Sequence, residues 1–340
     1  MFTVTMGDIA AILSDYGVTQ KAVSFTELER CKDTPEQVRL IVKACLSDGT
    51  ALVIRLKNES DVSLPLVERQ SQFAAVLRAN GIITPTLYRN GADYAKWYSI
   101  GGYPVIVTVE EFVEGELQVF DAEAAEMAGR LLANMHHIAE RTAFHVDNGV
   151  LFDPFTHNSL FLDSDFIAHG RELSAIDGDM YEKIVRKLGA YKALLSPLCL
   201  EPRYAVQGDM SDCNLYRTDA GALGVFDFNR CGDNHLFCDS VMQALFVSRL
   251  MAYPDSYGDC PEQFILPAFL HGYSTERPFS AAHSRLYPYL VAIIRAFWSA
   301  DIRWGQDSLL KNLARGANKA VRAQLASIYD RLLQLDPPPV

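Results

Sequence analysis

Gln207-Gly-Asp-Met-Ser-Asp-Cys-Asn214, followed by Val225-Phe-Asp-Phe-Asn229, is the stretch that decides how this chain folds. Its polar landmarks are Asp209, Asn214 and Asp227, the last lying thirteen positions after the asparagine. From Asn214 the residues read as a hairpin, with Leu215 to Thr218 as one strand, Asp219-Ala-Gly221 at the turn and Leu223 to Phe228 as the return. A two-residue turn at Ala220-Gly221 sets 219 opposite 222 and, further down the ladder, Asn214 opposite Asp227. Directly opposed residues of an antiparallel pair have Cα atoms roughly 4.5 to 5.5 Å apart, so an amide oxygen and a carboxylate placed there can share one hard cation. Asp209 lies in the loop that feeds the hairpin, free to face whatever the metal holds. A carboxylate beside a metal-bound phosphate can accept a hydroxyl proton. Taken alone, a Gly-Asp-x-x-x-x-Asn is an ordinary turn; the joint spacing is what points to a metal-and-phosphate site.

The two segments resemble those of the aminoglycoside phosphotransferase and choline kinase family, which has a protein-kinase-like fold. In that fold an Asp-x-x-x-x-Asn catalytic loop is followed, after a hairpin, by the metal-binding Asp of an Asp-Phe-Gly element. The resemblance implies that Asp209 is the catalytic aspartate, Asn214 a metal ligand and Asp227 the principal Mg ligand. Gly208 favours the small-molecule branch, whose loop reads His-Gly-Asp where protein kinases have His-Arg-Asp. Two positions depart from the pattern: Gln207 replaces the histidine, and Asn229 replaces a glycine or acidic residue. Glutamine can both donate and accept, and Asn229 offers an oxygen to a second metal.

Composition is compatible with that architecture. The 340 residues are 49% hydrophobic and 21% charged, enough for a full core and two lobes. No apolar run reaches the length of a membrane span; Tyr287 to Trp298 comes nearest and is interrupted by Arg295. The amino terminus lacks a secretory pattern, and the seven cysteines, odd in number and without a C-x-x-C, read as reduced thiols. A cytoplasmic protein is expected. The net charge of -11 argues against nucleic acid as a partner and suits a cationic substrate.

The first hundred residues read as a small sheet with one helix. Ala22 to Leu28, Val38 to Cys45 and Leu52 to Leu56 alternate or run apolar, with Ser47-Asp-Gly-Thr50 as a turn. Leu52-Val-Ile-Arg55 resembles the Val-Ala-Ile-Lys element whose basic residue grips nucleotide phosphates, which implies that role for Arg55. Lys57, on the same face of the strand, is the rival. A helix is expected from Pro65 to Asn80, stopped by Gly81, with Leu66, Val67, Phe73, Ala74 and Leu77 as its apolar stripe. Gln70 falls inside that stripe and Glu68 points away from it. The kinase fold places a glutamate on this inner face to orient the basic residue. Gln70 occupies that place, and Glu68 serves if the helix is rotated.

Arg30-Cys-Lys-Asp-Thr-Pro-Glu36 stands where the family covers the phosphates, without a glycine pattern; Arg30 and Lys32 are its cations. Val105 to Val113 is a β-forming run ended by Glu114-Gly115. By the resemblance it leads to the linker whose main chain holds adenine, through Glu111 and Val113.

A long helix is expected from Asp121, with Ala124, Ala128, Leu131, Met135 and Ile138 on one face. Within it, Gly129-x-x-Leu-x-x-Met-His136 resembles a family element whose histidine braces the catalytic loop. Asp239 reads as a structural residue and N-cap of a helix running to about Leu250. Further helices are expected at Tyr181 to Leu195, Pro261 to Tyr273, Ala282 to Trp304 and Ser308 to Leu335, closed by Pro337-Pro-Pro339. Phe297, Asp301 and Trp304 share a helical face that suits an ammonium group, although the same spacing is common in core packing.

The expectation is an α+β, protein-kinase-like two-lobed fold, with 1–113 covering the nucleotide and 114–340 carrying the catalytic loop, metal hairpin and helical substrate region. By the resemblance, the chain is a small-molecule kinase using ATP and Mg to phosphorylate a hydroxyl of an amino sugar, amino alcohol or similar polar molecule. Neither nucleic acid nor membrane is an expected partner. Two other readings remain open: a nucleotide-binding regulatory module without transfer, suggested by Gln207 and Gln70, and a Mg-dependent phosphohydrolase needing no acceptor.

Overall fold

A computed structural model of the chain describes residues 2–34, 37–150, 153–156 and 160–338. Pro35, Glu36, Pro339 and the side chain of Lys32, which figure in the expectations above, lie outside the described residues. Two compact units make up the chain. The first is Met1–Gln118, Val146–Asn148 and Asp212–Cys231; the second is Val119–His145, Gly149–Ser211 and Gly232–Val340. The hairpin after Asn214 therefore belongs with the first unit, and Asp209 with the second.

In the first unit, α1 (Met6–Asp15) starts in a reciprocal cap: the Thr5 hydroxyl accepts the Asp8 N–H, and the Asp8 carboxylate accepts the Thr5 N–H. There follow β1 (Ala22–Asp33), β2 (Val38–Leu46), β3 (Ala51–Asn58), α2 (Leu64–Ala79), β4 (Lys96–Ile100) and β5 (Tyr103–Glu111). The strands form one antiparallel sheet in the order β1-β2-β3-β5-β4. Alternation along β5 feeds two cores. Val105, Val107 and Val109 join Leu40, Ile54, Leu56 and the Ile9, Ile12, Leu13 stripe of α1, while Ile106 meets Val67 of α2. Ser63 caps α2 by accepting the Leu66 N–H, and Asn80 ends it before Gly81, whose φ is +93°. The second and third expected strands and the helix match these spans closely, whereas β1 runs on past the expected Leu28 to Asp33, so that Arg30 to Asp33 of the segment expected to cover the phosphates are paired with β2. Neither α1 nor β4 was anticipated, although Thr5-x-x-Asp8 and the alternation of Lys96-Trp-Tyr-Ser-Ile100 carry their signals.

The second unit is mostly helical: α3 (Ala122–Thr142), α4 (Asp163–Ala168), α5 (Gly170–Leu195), α6 (Leu236–Val247), α7 (Glu262–Glu276), α8 (Ala281–Ala296), α9 (Leu309–Ala314) and α10 (Asn318–Leu333). Two short strands, Tyr204–Val206 and Gly232–Asn234, pair antiparallel. Helices α3 and α7 cross so closely that a Cβ on Gly129 would lie 2.0 Å from the Phe269 carbonyl oxygen, and one on Gly272 2.0 Å from that of Glu126. Alanine favours an isolated helix by about 1 kcal/mol over glycine, yet here the obstacle is backbone, which no rotamer relieves. Gly272→Ala should therefore cost about 2 to 3 kcal/mol in urea unfolding. A neutral result would mean that the helices part without penalty.

Three expectations about the helices are corrected. The helix expected over Ala282 to Trp304 ends at Ala296, because the backbone of 160–162 pairs with 297–299: the Leu162 N–H donates to the Phe297 carbonyl and the Ser299 N–H to that of Leu160. Phe297, Asp301 and Trp304 consequently form no common face. Phe297 is buried against Phe161 and Phe166, Asp301 pairs with Arg331, and Trp304 is 60% exposed. The segment expected as one helix from Ser308 is two, broken where Gly316 takes a φ of +67°. Asp239 sits inside the first turn of α6, whose N-cap is His235.

Candidate active site

The hairpin pairs Leu215 with Val225, Tyr216 with Gly224 and Arg217 with Leu223, and the Phe226 N–H donates to the Asn214 carbonyl at 3.0 Å. Asn214 thus lies opposite Phe226, one residue short of the expected Asp227. The turn is the cause. The Thr218 N–H donates to Ala222 and the Gly221 N–H to Thr218, so three residues make the bend, with Gly221 left-handed at φ +79°. A slip of one would turn a strand residue to the other face, but Asp227 lies past the strand. Its own φ is +54°, a conformation aspartate adopts more readily than most residues, and this turn rather than the ladder directs its carboxylate.

Around Asp227 the first unit gathers a compact charged group. One carboxylate oxygen lies 3.1 Å from Arg55 Nη1, and the other accepts the Asn229 N–H at 3.1 Å. Arg55 Nε donates to Glu110 Oε1 at 2.8 Å, and the Lys57 ammonium donates to Asn229 Oδ1. Burial alone would raise the Asp227 pKa. The Arg55 and Lys57 cations and the Asn229 N–H reverse that, holding it below the usual carboxylate range. For Arg55, burial acts to lower its pKa, but Asp227 and Glu110 more than offset this and push it up. Lys57 has weaker compensation: burial first, then the neighbouring Arg55 charge, bring it down to about 8. Behind this group, Phe228 meets Phe73 of α2 edge-on, with ring centroids 6.2 Å apart.

The inner-face residue of α2 does not pair with Arg55 as expected. Gln70, 5% exposed, donates through Nε2 to the carbonyls of Asn229 at 3.0 Å and Cys231 at 3.1 Å. Glu68 is no substitute, since its carboxylate accepts the N–H groups of Tyr94 at 2.7 Å and Ala95 at 2.9 Å. The Glu111 N–H is spent on the Thr86 carbonyl, and its carboxylate accepts from the Thr86 N–H and hydroxyl. Val113 lies two residues beyond the end of β5, partly exposed. Arg30 is tied to Glu27 and to the Phe2 carbonyl.

In the second unit, the loop around Asp209 is fixed by two glutamines. Gln207 Oε1 accepts the Asp209 N–H at 2.6 Å, and Gln243 Oε1, from α6, accepts the next N–H, that of Met210, at 3.1 Å. Both glutamines are fully buried. The residue in the histidine's place thus supports the loop directly. His136 bridges instead from α3 to α6 and α7: its Nε2 lies 3.0 Å from Asp239 Oδ2 and its Nδ1 2.8 Å from the Tyr273 hydroxyl. Burial pushes the His136 pKa down. Sequence reasoning missed Glu110 and Gln243. The first leaves no local signal, because its pairing follows from the β3–β5 register; the second could be found from its place one helical turn after Asp239.

Asp227 and Asn214 are hard oxygen donors of the kind Mg takes, and Asp227 is held in its charged form. Among the described residues no group of three or more His, Cys, Asp or Glu could hold a metal. Mg suits such a site, since it usually takes one or two carboxylates and completes its shell with phosphates and water. Among the described residues no helix is long and apolar enough to cross a membrane.

Residues 42–287 match the model of the phosphotransferase enzyme family. None of the curated proteins matches the chain. Among solved structures, the chain is similar to a microcompartment-associated aminopropanol kinase, with 17% identity over 95% of this chain and 99% of that one and a TM-score of 0.57. It is also similar to amicoumacin kinase hAmiN in complex with AMP-PNP, Ca2+ and Ami, with 14% identity over 95% and 92% of the two chains and a TM-score of 0.56. An aminoglycoside phosphotransferase from Alicyclobacillus acidocaldarius subsp. acidocaldarius aligns with 15% identity over 90% and 93%, at a TM-score of 0.52. At these identities the likeness speaks for the fold, which is α+β and protein-kinase-like.

Proposed function

The chain belongs to the phosphotransferase enzyme family, and from that premise we propose that this small-molecule kinase transfers the γ-phosphoryl group of ATP to a hydroxyl of a polar, amine-bearing molecule. The observation that carries this reading is the buried group of Arg55, Lys57, Glu110 and Asp227. Two cations held against two carboxylates and one amide can exchange one carboxylate, that of Asp227, and the amide for phosphate oxygens.

Asp227 and Asn214 would hold Mg, which when bound neutralises phosphate charge. Arg55 would orient the phosphates, with Lys57 beside it, and the main chain at Glu111 and Val113 would hold adenine. The acceptor oxygen attacks the γ-phosphorus, the bond to the β,γ-bridging oxygen breaks, and ADP leaves. The hydroxyl proton passes to the Asp209 carboxylate. Gln207 and Gln243 fix the backbone on which that carboxylate stands. Alignment and charge complementarity do most of the work in such a transfer. Residues 1–113 would cover the nucleotide and 114–340 carry the loop, hairpin and acceptor region, and the reaction would run in the cytoplasm.

An amine on the acceptor is supported by the net charge of -11 and by the acceptors named for two similar structures, aminopropanol and aminoglycoside. Asp209→Asn tests the assignment. Transfer to a panel of hydroxylated amines should fall roughly 10²-fold or more, while calorimetric affinity for nucleotide stays within about twofold, a change of only ~0.4 kcal/mol. Normal turnover by the variant would overturn it.

A further inference from the structure

We propose that Glu110 is the positioning residue of Arg55, supplying from the sheet the carboxylate that the kinase fold ordinarily takes from the helix after the third strand. The inference rests on the nucleotide-site reading above and concerns how that site is held in shape. The glutamate expected on α2 is absent, and both residues considered for its role are engaged elsewhere: Gln70 with the carbonyls of Asn229 and Cys231, Glu68 with the N–H groups of Tyr94 and Ala95. Arg55 instead contacts Glu110 at 2.8 Å and Asp227 at 3.1 Å.

Strand register explains why Glu110 can do this. Arg55 on β3 is opposite Thr108 on β5, and Val53 is opposite Glu110. Glu110 is therefore the diagonal neighbour of Arg55 on the same face, at the ~7 to 8 Å separation that long side chains span. The pair is made by two adjacent strands of one ladder and owes nothing to the placement of α2.

The two carboxylates divide the guanidinium between them. Glu110 takes Nε, and Asp227 takes Nη1. A planar guanidinium fixed at Nε has its outer nitrogens aimed in a set direction. With the Asp227 carboxylate engaged by a metal, Glu110 would remain as the anion on Arg55 and would keep those outer nitrogens presented to phosphate. In this chain the phosphate-gripping cation is thus oriented by the sheet, and α2 is left to hold the backbone after Asp227 through Gln70.

The experiment is a double-variant cycle on the nucleotide KM, using the full chain, with thermal unfolding measured on every variant. Glu110→Gln keeps the shape and removes the charge, and should raise the KM for ATP about tenfold, the effect of one lost charge-assisted contact, with little change in melting temperature. Glu110→Asp, which retains charge on a shorter arm, should fall between wild type and Glu110→Gln. Arg55→Met should raise the KM further, and adding Glu110→Gln to it should change nothing more, because the residue being positioned is gone. Additive effects in the double variant, or an unchanged KM in Glu110→Gln beside a raised one in Arg55→Met, would overturn the proposal and leave the nucleotide site standing. Unchanged nucleotide KM in both single variants would instead refute the nucleotide-site reading on which the proposal depends.

Discussion

Asp227→Asn should lower phosphoryl transfer by roughly 10³- to 10⁴-fold and abolish the metal dependence of nucleotide binding. Asparagine is the informative replacement because Asp227 has a φ of +54°. Asparagine tolerates that backbone, whereas alanine would add about 1 kcal/mol of left-handed strain and blur the result. The change removes the charge that would draw a metal to the hairpin, and several kcal/mol of transition-state stabilisation go with it, at about 1.4 kcal/mol per tenfold in rate. A second effect runs the other way. Arg55 loses one of its two carboxylates and Lys57 a nearby anion, so the phosphates of metal-free ATP would become their best available partner. Calorimetry without Mg should accordingly show ATP binding to the variant at least as tightly as to wild type. Added Mg should improve binding only for wild type. Because Glu110 still neutralises Arg55, the loss of stability should stay near 1 to 2 kcal/mol, below that of a buried pair stripped of its only partner. A variant that turns over normally and keeps its Mg dependence would reduce the Arg55–Asp227 pair to a structural salt bridge.

What the sequence made legible, and what it hid, follows from the range of the interactions concerned. The strands β1 to β3 and helix α2 were readable because their signals are local: alternation, Pro65 at the start of the helix and a Gly81 stop. The residue types of the candidate site were readable for the same reason, since Asp209, Asn214 and Asp227 lie within one short stretch. The hairpin register was not, because Asp219-Ala-Gly221 accommodates either a two- or a three-residue turn, and one residue moves Asn214 from Asp227 to Phe226. Glu110 was hidden within a strand read for its main chain, and its pairing with Arg55 depends on the register of strands far apart in sequence. The end of α8 was hidden too, since the groups that halt it at Ala296 belong to residues 160–162. Gln70 was placed correctly on the inner face of its helix, but its partners are main-chain carbonyls, and a carbonyl leaves no mark in the sequence.

Restoring the usual acidic residue, Gln70→Glu, should destabilise the chain by about 4 kcal/mol. The Gln70 amide gives two hydrogen bonds to main-chain carbonyl oxygens, that of Asn229 at 3.0 Å and the buried one of Cys231 at 3.1 Å. A carboxylate there gives none, sets its negative charge against the same oxygens and takes one donor from each; the Cys231 carbonyl keeps the longer contact from the Asn148 amide at 3.5 Å. Nor do the two cations of the group reward it. Arg55 and Lys57 are already balanced by Glu110 and Asp227, so a third carboxylate would leave the buried group with a net negative charge. The penalty has a pH signature of definite sign. Burial would raise the new carboxyl's pKa above its unfolded value near 4.3, so the folded state would retain a proton that the unfolded state gives up. Stability of the variant would therefore be closest to wild type in mild acid, where the protonated carboxyl can donate one bond, and would fall as pH rises. Gln70→Leu separates the two contributions, since it loses the hydrogen bonds without adding charge; it should cost about 2 kcal/mol with no such slope. Urea unfolding of the three proteins between mild acid and neutral pH decides the matter. A variant with the acidic residue that is more stable and more active than wild type would mean that α2 does reach Arg55, and that Glu110 has no special hold on it.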